Sequence, residues 1–189
     1  MTITQLENHL LDYDGHAVSI LSEARIACRE CANYFEDLIR LCFDPRPIIS
    51  NGATWMLKAE FEDGEKLSAE LTAQLIASLE KLQSWQSVLH ICQAVEGFEL
   101  TAAQANVFAK WGAQYADHSR PFVRAWSLHV RAVLGRQFET LQQDAERALT
   151  LAEKDPAASV KARARQLRKK AHSSQVTANP TRCDNRQSS

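Results

Sequence analysis

A short phrase is written three times along this chain of 189 residues, and it limits the folds open to it more than any other feature. Asp44-Pro45-Arg46-Pro47-Ile48-Ile49, Ser119-Arg120-Pro121-Phe122-Val123 and Asp155-Pro156-Ala157-Ala158-Ser159-Val160 each place a helix-capping residue and a proline shortly before a β-branched residue. Ile49 and Val123 are 74 positions apart and Val123 and Val160 are 37 apart, half that distance. A recurrence near 37 residues is the spacing of stacked helical pairs, each burying its apolar face against the next.

Apolar positions recur at helical spacing throughout, and strand patterns are weak. After Gly15, the residues Val18, Leu21, Cys28, Cys31, Phe35, Leu38 and Cys42 read as one stripe of a long helix. Asp44 is expected to cap a second helix, with Pro45 in its first turn, burying Ile49, Ala53, Met56 and Leu57 and ending near Asp63-Gly64. A second pair opens at Ser68, with Leu71, Leu75, Leu79 and Leu82 inward. A strict step of 37 from Ile49 would put Gln86, His90 and Gln93 in the core, where each polar group needs a partner. Sliding by two residues buries Val88, Cys92 and Val95 instead, so the steps become 39, 35 and 37. Thr101-Ala102-Ala103-Gln104 is a capping box for the third pair, with Phe108, Trp111 and Tyr115 inward. Ser119 caps its partner helix, which buries Val123, Ser127, Val130 and Leu134. A fourth pair runs from Phe138 through Leu141, Ala145, Ala148, Leu149 and Ala152, and then from Asp155-Pro156 through Val160, Ala164 and Leu167. Small residues recur at one inward position (Ala53, Cys92, Ser127, Ala164), as close helix approach requires. The expected organisation is a capping segment over 1–14, one domain over 15–172 and a disordered polar tail over 173–189.

The cap-Pro entries followed by Val123-Arg124-Ala125 and Val160-Lys161-Ala162 resemble the second helix of HEAT-type (armadillo-type) repeats. The resemblance spans about residues 15–170 and is weakest at Ser84-Trp85-Gln86, where the proline entry is lost. It implies an all-α fold, an α-solenoid of about four antiparallel helix pairs. Tetratricopeptide repeats have a shorter period and Trp, Gly and Tyr positions that do not recur here. The family serves as scaffolds, adaptors and a few enzymes, so the motif names an architecture and no activity.

Net charge is −1, but it is unevenly placed: 8 basic and 16 acidic residues lie up to Lys110, and 14 and 7 follow it. No run approaches the length of a membrane span, and the N-terminus has no basic-then-apolar leader pattern. Five cysteines without framework spacing fit reduced thiols and a cytoplasmic setting. Cys28 and Cys31 form a C-x-x-C pair with no second pair to complete a zinc site, and they read as buried thiols on the apolar stripe. The six histidines have no metal-binding spacing, and the His-Glu dipeptides of HEAT-repeat hydroxylases are missing. No phosphate loop or nucleophile elbow is present. No cofactor, metal or catalytic residue is therefore assigned.

The surface candidates are basic. Lys161, Arg165 and Arg168 form one stripe opposite Val160, Ala164 and Leu167, and Arg124 and Arg131 occupy the corresponding face one repeat earlier. Because second helices line the concave groove of a helical solenoid, these five are expected to build a continuous basic wall there, beside Trp126 and Trp55. The leading expectation is a non-enzymatic scaffold or adaptor that binds an acidic protein segment on that wall. The alternatives are a nucleic-acid-binding protein resembling HEAT-like DNA glycosylases, with Trp126 and Trp111 near the groove, and an accessory or lyase-like HEAT-repeat protein.

Overall fold

Hydroxyl caps and prolines set the helix starts. Thr4, Ser68, Ser84 and Thr101 each accept a backbone N–H from the first turn that follows, and Thr101 and Gln104 complete the reciprocal capping box. The computed structural model describes residues 4–177, with side chains through residue 171. Those residues are all-α: α1 Gln5–Leu11, α2 Val18–Cys28, α3 Tyr34–Cys42, α4 Pro47–Glu62, α5 Ala69–Ser78, α6 Trp85–Gln93, α7 Ala102–Ala113, α8 Pro121–Gln137, α9 Glu139–Ala152 and α10 Ala158–Thr177. Two 3-10 turns, Leu79–Lys81 and Ala94–Gly97, follow α5 and α6.

The expected long first helix is two helices. α2 ends at Cys28, a turn occupies 29–33, and α3 begins at Tyr34. Val18 and Cys31 of the expected inward stripe are exposed, while Leu21, Cys28, Leu38 and Cys42 are buried. The break has a long-range cause. Arg25 and Tyr34 both bond the carboxylate of Glu60 on α4, yet nine residues of continuous helix would set them about 180° apart.

Two helix starts also differ from the expected ones. Asp44 Oδ1 accepts the Arg46 N–H at 2.9 Å and so closes the turn ahead of the helix, leaving Pro47 rather than Pro45 in the first helical position. At α8 the flanking residue is Arg120, whose N–H is taken by His118 Nδ1 at 3.1 Å, and Ser119 caps nothing. Asp155 Oδ1 accepts the Ala157 N–H at 2.7 Å before α10. The inward residues of α4, α8 and α10 are as expected: Ile49, Ala53, Met56, Leu57, Val123, Ser127, Val130, Leu134, Val160, Ala164 and Leu167 are all buried. So are Val88, Cys92 and Val95 of the displaced register. α10 continues through Thr177, five residues into the segment expected to be a tail. The rest of that segment, 178–189, lies outside the described residues.

Helices α4, α6, α8 and α10 pack one against the next, and α3, α5 and α7 do the same alongside them. α1 lies over α2, α3 and α4, burying Leu6 and Leu10. α9 takes its packing from α8 and α10. The α4–α6 seam holds a neutral polar chain. Ser50 and Ser87, 37 residues apart, meet at 2.8 Å, Ser87 and Ser84 both donate to Asn51 Oδ1, and Thr54 meets His90 Nδ1 at 3.1 Å. The buried apolar residues form two clusters. The larger runs from Leu6 to Leu141, and the smaller joins Ala125, Leu128 and Ala132 of α8 to Ala148, Leu149 and Ala152 of α9 and Val160, Ala164 and Leu167 of α10. α8 gives one face to each. Its contact with α9 is close enough that a Cβ at Gly135 would overlap the Ala145 methyl.

Candidate interaction site

The five candidate cations do not form one wall. Arg124 makes a bidentate pair with Asp155, Nε to Oδ2 and Nη2 to Oδ1 both at 2.9 Å, and its Nη1 donates to the His118 carbonyl at 2.7 Å. Each side chain of that pair is 13% exposed, so the pair ties α8 to the start of α10. Arg124 holds the Asp155 carboxyl below the usual carboxylate range. Arg131 clasps Asp144 of α9 in the same way, at 3.0 and 2.8 Å. Both arginines line a cleft of about 270 Å³ between the turn after α7 and the α9–α10 connection, with Asp117, Lys154 and Asp155 at its edge and Leu128, Ala152 and Val160 among its apolar walls. Arg168 turns back onto α9, pairing with Glu153 at 2.5 Å and Glu146 at 2.9 Å and donating to Thr150 Oγ1 at 3.1 Å. Lys161 is half-buried and Arg165 exposed, its Nε donating only to the Lys161 carbonyl, at 3.3 Å. The wall fails because helical spacing reports the face a charge occupies and is silent on the carboxylates that tertiary packing brings to it.

The opposite edge of α10 carries Arg163 and Lys170, at i and i+7. The Arg163 guanidinium lies over the Trp126 indole, 4.0 Å from its centroid, and the Trp126 and His129 rings meet edge to face at 4.9 Å. An earlier step repeats the device: Arg120 covers Trp85 at 4.3 Å. The tryptophans thus join α6 to the start of α8, and α8 to α10, through a cation lying on a ring. His129 is 5% exposed. Burial, and then Arg163, Lys170 and Arg136, push its imidazole down to about 4, so it is neutral at pH 7. Its Nε2 stands 3.8 Å from Glu96, which is 3.7 Å from Arg136. His129 Nδ1 and Trp126 Nε1 are both buried without a hydrogen-bond partner. Burial also lowers Arg163.

His129, Arg163, Arg136 and Lys170 were not singled out from the sequence. The available signal was Trp126-x-x-His129 on one helix face beside a second basic edge on the last helix. Trp55 is half-buried against the larger core, on α4. Trp111 is 1% exposed and lies between Phe108 and Tyr115, not beside a groove. Cys31 is exposed and donates to Gln5 Oε1 at 3.7 Å, whereas burial raises the thiols of Cys28, Cys42 and Cys92. Among the described residues no group of three or more His, Cys, Asp or Glu side chains is placed to hold a metal ion, and no helix is long and apolar enough to cross a membrane. No known protein family, curated protein or solved structure matches the chain.

Proposed function

We propose that this chain is a HEAT-like helical-repeat module of the cytoplasm that binds an acidic protein segment without acting chemically on it. The observation that carries the reading is the imbalance of charge on α8 and α10. Arg136, Arg163 and Lys170 crowd a neutral histidine with Glu96 as the nearby acid, and Lys161 and Arg165 rise on the other edge of α10. The exposed residues Ala162, Gln166 and Lys169 lie on the back of the helix between those edges, so a segment laid across α10 meets both. The succession α4, α6, α8, α10 supports the solenoid, and the ring-covering arginines support a surface built by stacked repeats. Lys161, Arg165 and Trp126 are the first contacts. Arg124, Arg131 and Arg168 join only by exchanging their own carboxylates for the partner's, and Trp55 meets a segment that extends as far as α4.

The test is fluorescence anisotropy with a labelled twelve-residue glutamate-rich peptide, against a glutamine-rich peptide of equal length. Binding of the first alone is expected, together with a loss of about tenfold in the Lys161→Glu/Arg165→Glu double variant, one strong charged contact being worth about that factor. The variant's melting temperature is expected to match the parent's. Undiminished binding by the variant, or none by the parent at low salt, overturns the reading. A single-stranded oligonucleotide that binds more tightly, with a steep salt dependence, transfers the site to nucleic acid.

A further inference from the structure

The acidic-segment reading leaves open which groups receive an acid, and the buried end of the α8–α10 edge answers that. Trp126 and His129 sit three residues apart on α8 with their rings in contact. Each has a ring nitrogen closed off from solvent and from every protein acceptor or donor. Buried polar groups in folded proteins are nearly always paired; Trp111 Nε1 and Glu60 Oε2 are isolated exceptions among the described residues, whereas at this edge two orphans sit on rings in contact beside unbalanced cations. The charges facing that place are cationic from two helices, Arg136 on α8 and Arg163 and Lys170 on α10, while the turn after α6 contributes Glu96. Glu96 serves neither orphan: it faces the other histidine nitrogen, at 3.8 Å, too far for a hydrogen bond. Arg163 covers the indole at 4.0 Å with no carboxylate of its own among the described pairs.

We propose that Trp126, His129 and Arg163 form a carboxylate subsite for the acidic segment. Arg163 swings off the indole face, and one side-chain carboxylate of the partner accepts hydrogen bonds from its guanidinium, from the Trp126 indole N–H and from His129 Nδ1–H. A neutral imidazole can carry its proton on either nitrogen, and the anion selects the Nδ1–H tautomer. A donor that already lies out of water loses no hydration on binding, so each new hydrogen bond counts nearly in full.

This inference rests on the acidic-segment reading, and its test separates the two. The full chain, labelled with ¹⁵N, is titrated with the glutamate-rich peptide while the four tryptophan indole resonances are followed. The Trp126 resonance is assigned by its disappearance in Trp126→Phe, or by triple-resonance spectra if that variant does not fold. A downfield move of the Trp126 indole proton on binding is expected, with the other three nearly still. Losses of about tenfold in affinity are expected for Trp126→Phe, which keeps a ring and removes the N–H, and for Arg163→Gln. Peptide binding with an unmoved Trp126 indole and full affinity in both variants overturns the subsite and leaves the broader reading standing. No binding by the parent chain overturns both.

Discussion

Two buried ionisable side chains, one on α4 and one on α8, show opposite solutions to the same problem. Glu60 on α4 is 0% exposed; its Oε1 accepts from Arg25 Nε at 2.8 Å and from the Tyr34 hydroxyl at 2.7 Å, and its Oε2, which makes no hydrogen bond, has the Arg29 guanidinium at 3.5 Å. Its charged neighbours, Arg25 and Arg29, carry the opposite sign, and the Tyr34 hydroxyl is held protonated well above its ordinary value by burial and by the carboxylate that accepts its hydrogen bond. His129 on α8 is buried almost as deeply, yet three cations, Arg163, Lys170 and Arg136, outweigh the one acid near it, Glu96 at 3.8 Å, and it makes no hydrogen bond through Nδ1. A matched charge in the interior specifies how elements dock. An unmatched polar group costs stability without fixing any contact, and such a cost persists where something other than folding uses it. The N-terminal site therefore reads as architecture, and the C-terminal one is where the proposed interaction is placed.

The comparison can be tested in order of expected effect. Glu60→Ala leaves Arg25 and Tyr34 facing each other across a void, and a loss of about 3–5 kcal/mol is expected in urea unfolding. An effect under about 1 kcal/mol would mean that the pair network fixes nothing. In the C-terminal region, Val160→Asp buries a bare carboxylate in the smaller cluster and is expected to cost about 3 kcal/mol, against about 0.5 for Lys161→Asp one residue on. Equal melting temperatures would refute the register of α10.

Acid separates the two sites next. Because burial and the three cations hold His129 near 4 in the folded chain, against 6.5 when unfolded, the unfolded chain binds the extra proton between those values. Stability from the neutral imidazole is complete above pH 6.5 and declines as pH falls toward 4, by at most about 3 kcal/mol. His129→Gln should flatten that part of the stability profile relative to the parent. Parallel profiles would show that His129 protonates freely. His90, also near 4 through burial, remains in both proteins and cancels. Asp155→Ala removes both the clasp on Arg124 and the acceptor for the Ala157 N–H, at an expected 1–2 kcal/mol. Arg168→Ala breaks only half-exposed pairs and should stay within about 0.5 kcal/mol in thermal melts.

The core stripes of α4, α8 and α10 were legible because a buried residue and its neighbours three and four positions away repeat regardless of what lies outside the helix. Even the two-residue slide at α6 could be read, since burying Gln86, His90 and Gln93 would have cost more than irregularity. The break after Cys28 could not be read, because Cys28, Leu38 and Cys42 stay inward across it and its cause, Glu60, lies some thirty residues away. Cap positions slipped where prolines come in pairs or a histidine supplies the acceptor, as at Asp44 and His118. The candidate site suffered most. The arginines were visible, but Asp144, Asp155, Glu146 and Glu153 reach them only through tertiary packing, so cations of equal sequence prominence ended as clasps or as open contacts. His129 escaped notice because a histidine one turn from a tryptophan looks like ordinary core until its empty nitrogen is seen.

α8 gives a broad face to each hydrophobic cluster, with Val123, Val130 and Leu134 on one side and Ala125, Leu128 and Ala132 on the other, whereas α9 reaches the larger cluster through Leu141. Under tension applied at the ends of the chain, that arrangement makes α8 a shear line. The alanine-rich cluster beyond it has few large side chains to interlock, so α9 and α10 should peel away as a unit while the remaining helices still bear load. The molecule would lengthen in two steps rather than one, and a partner gripping α10 would be pulling on the part that yields first.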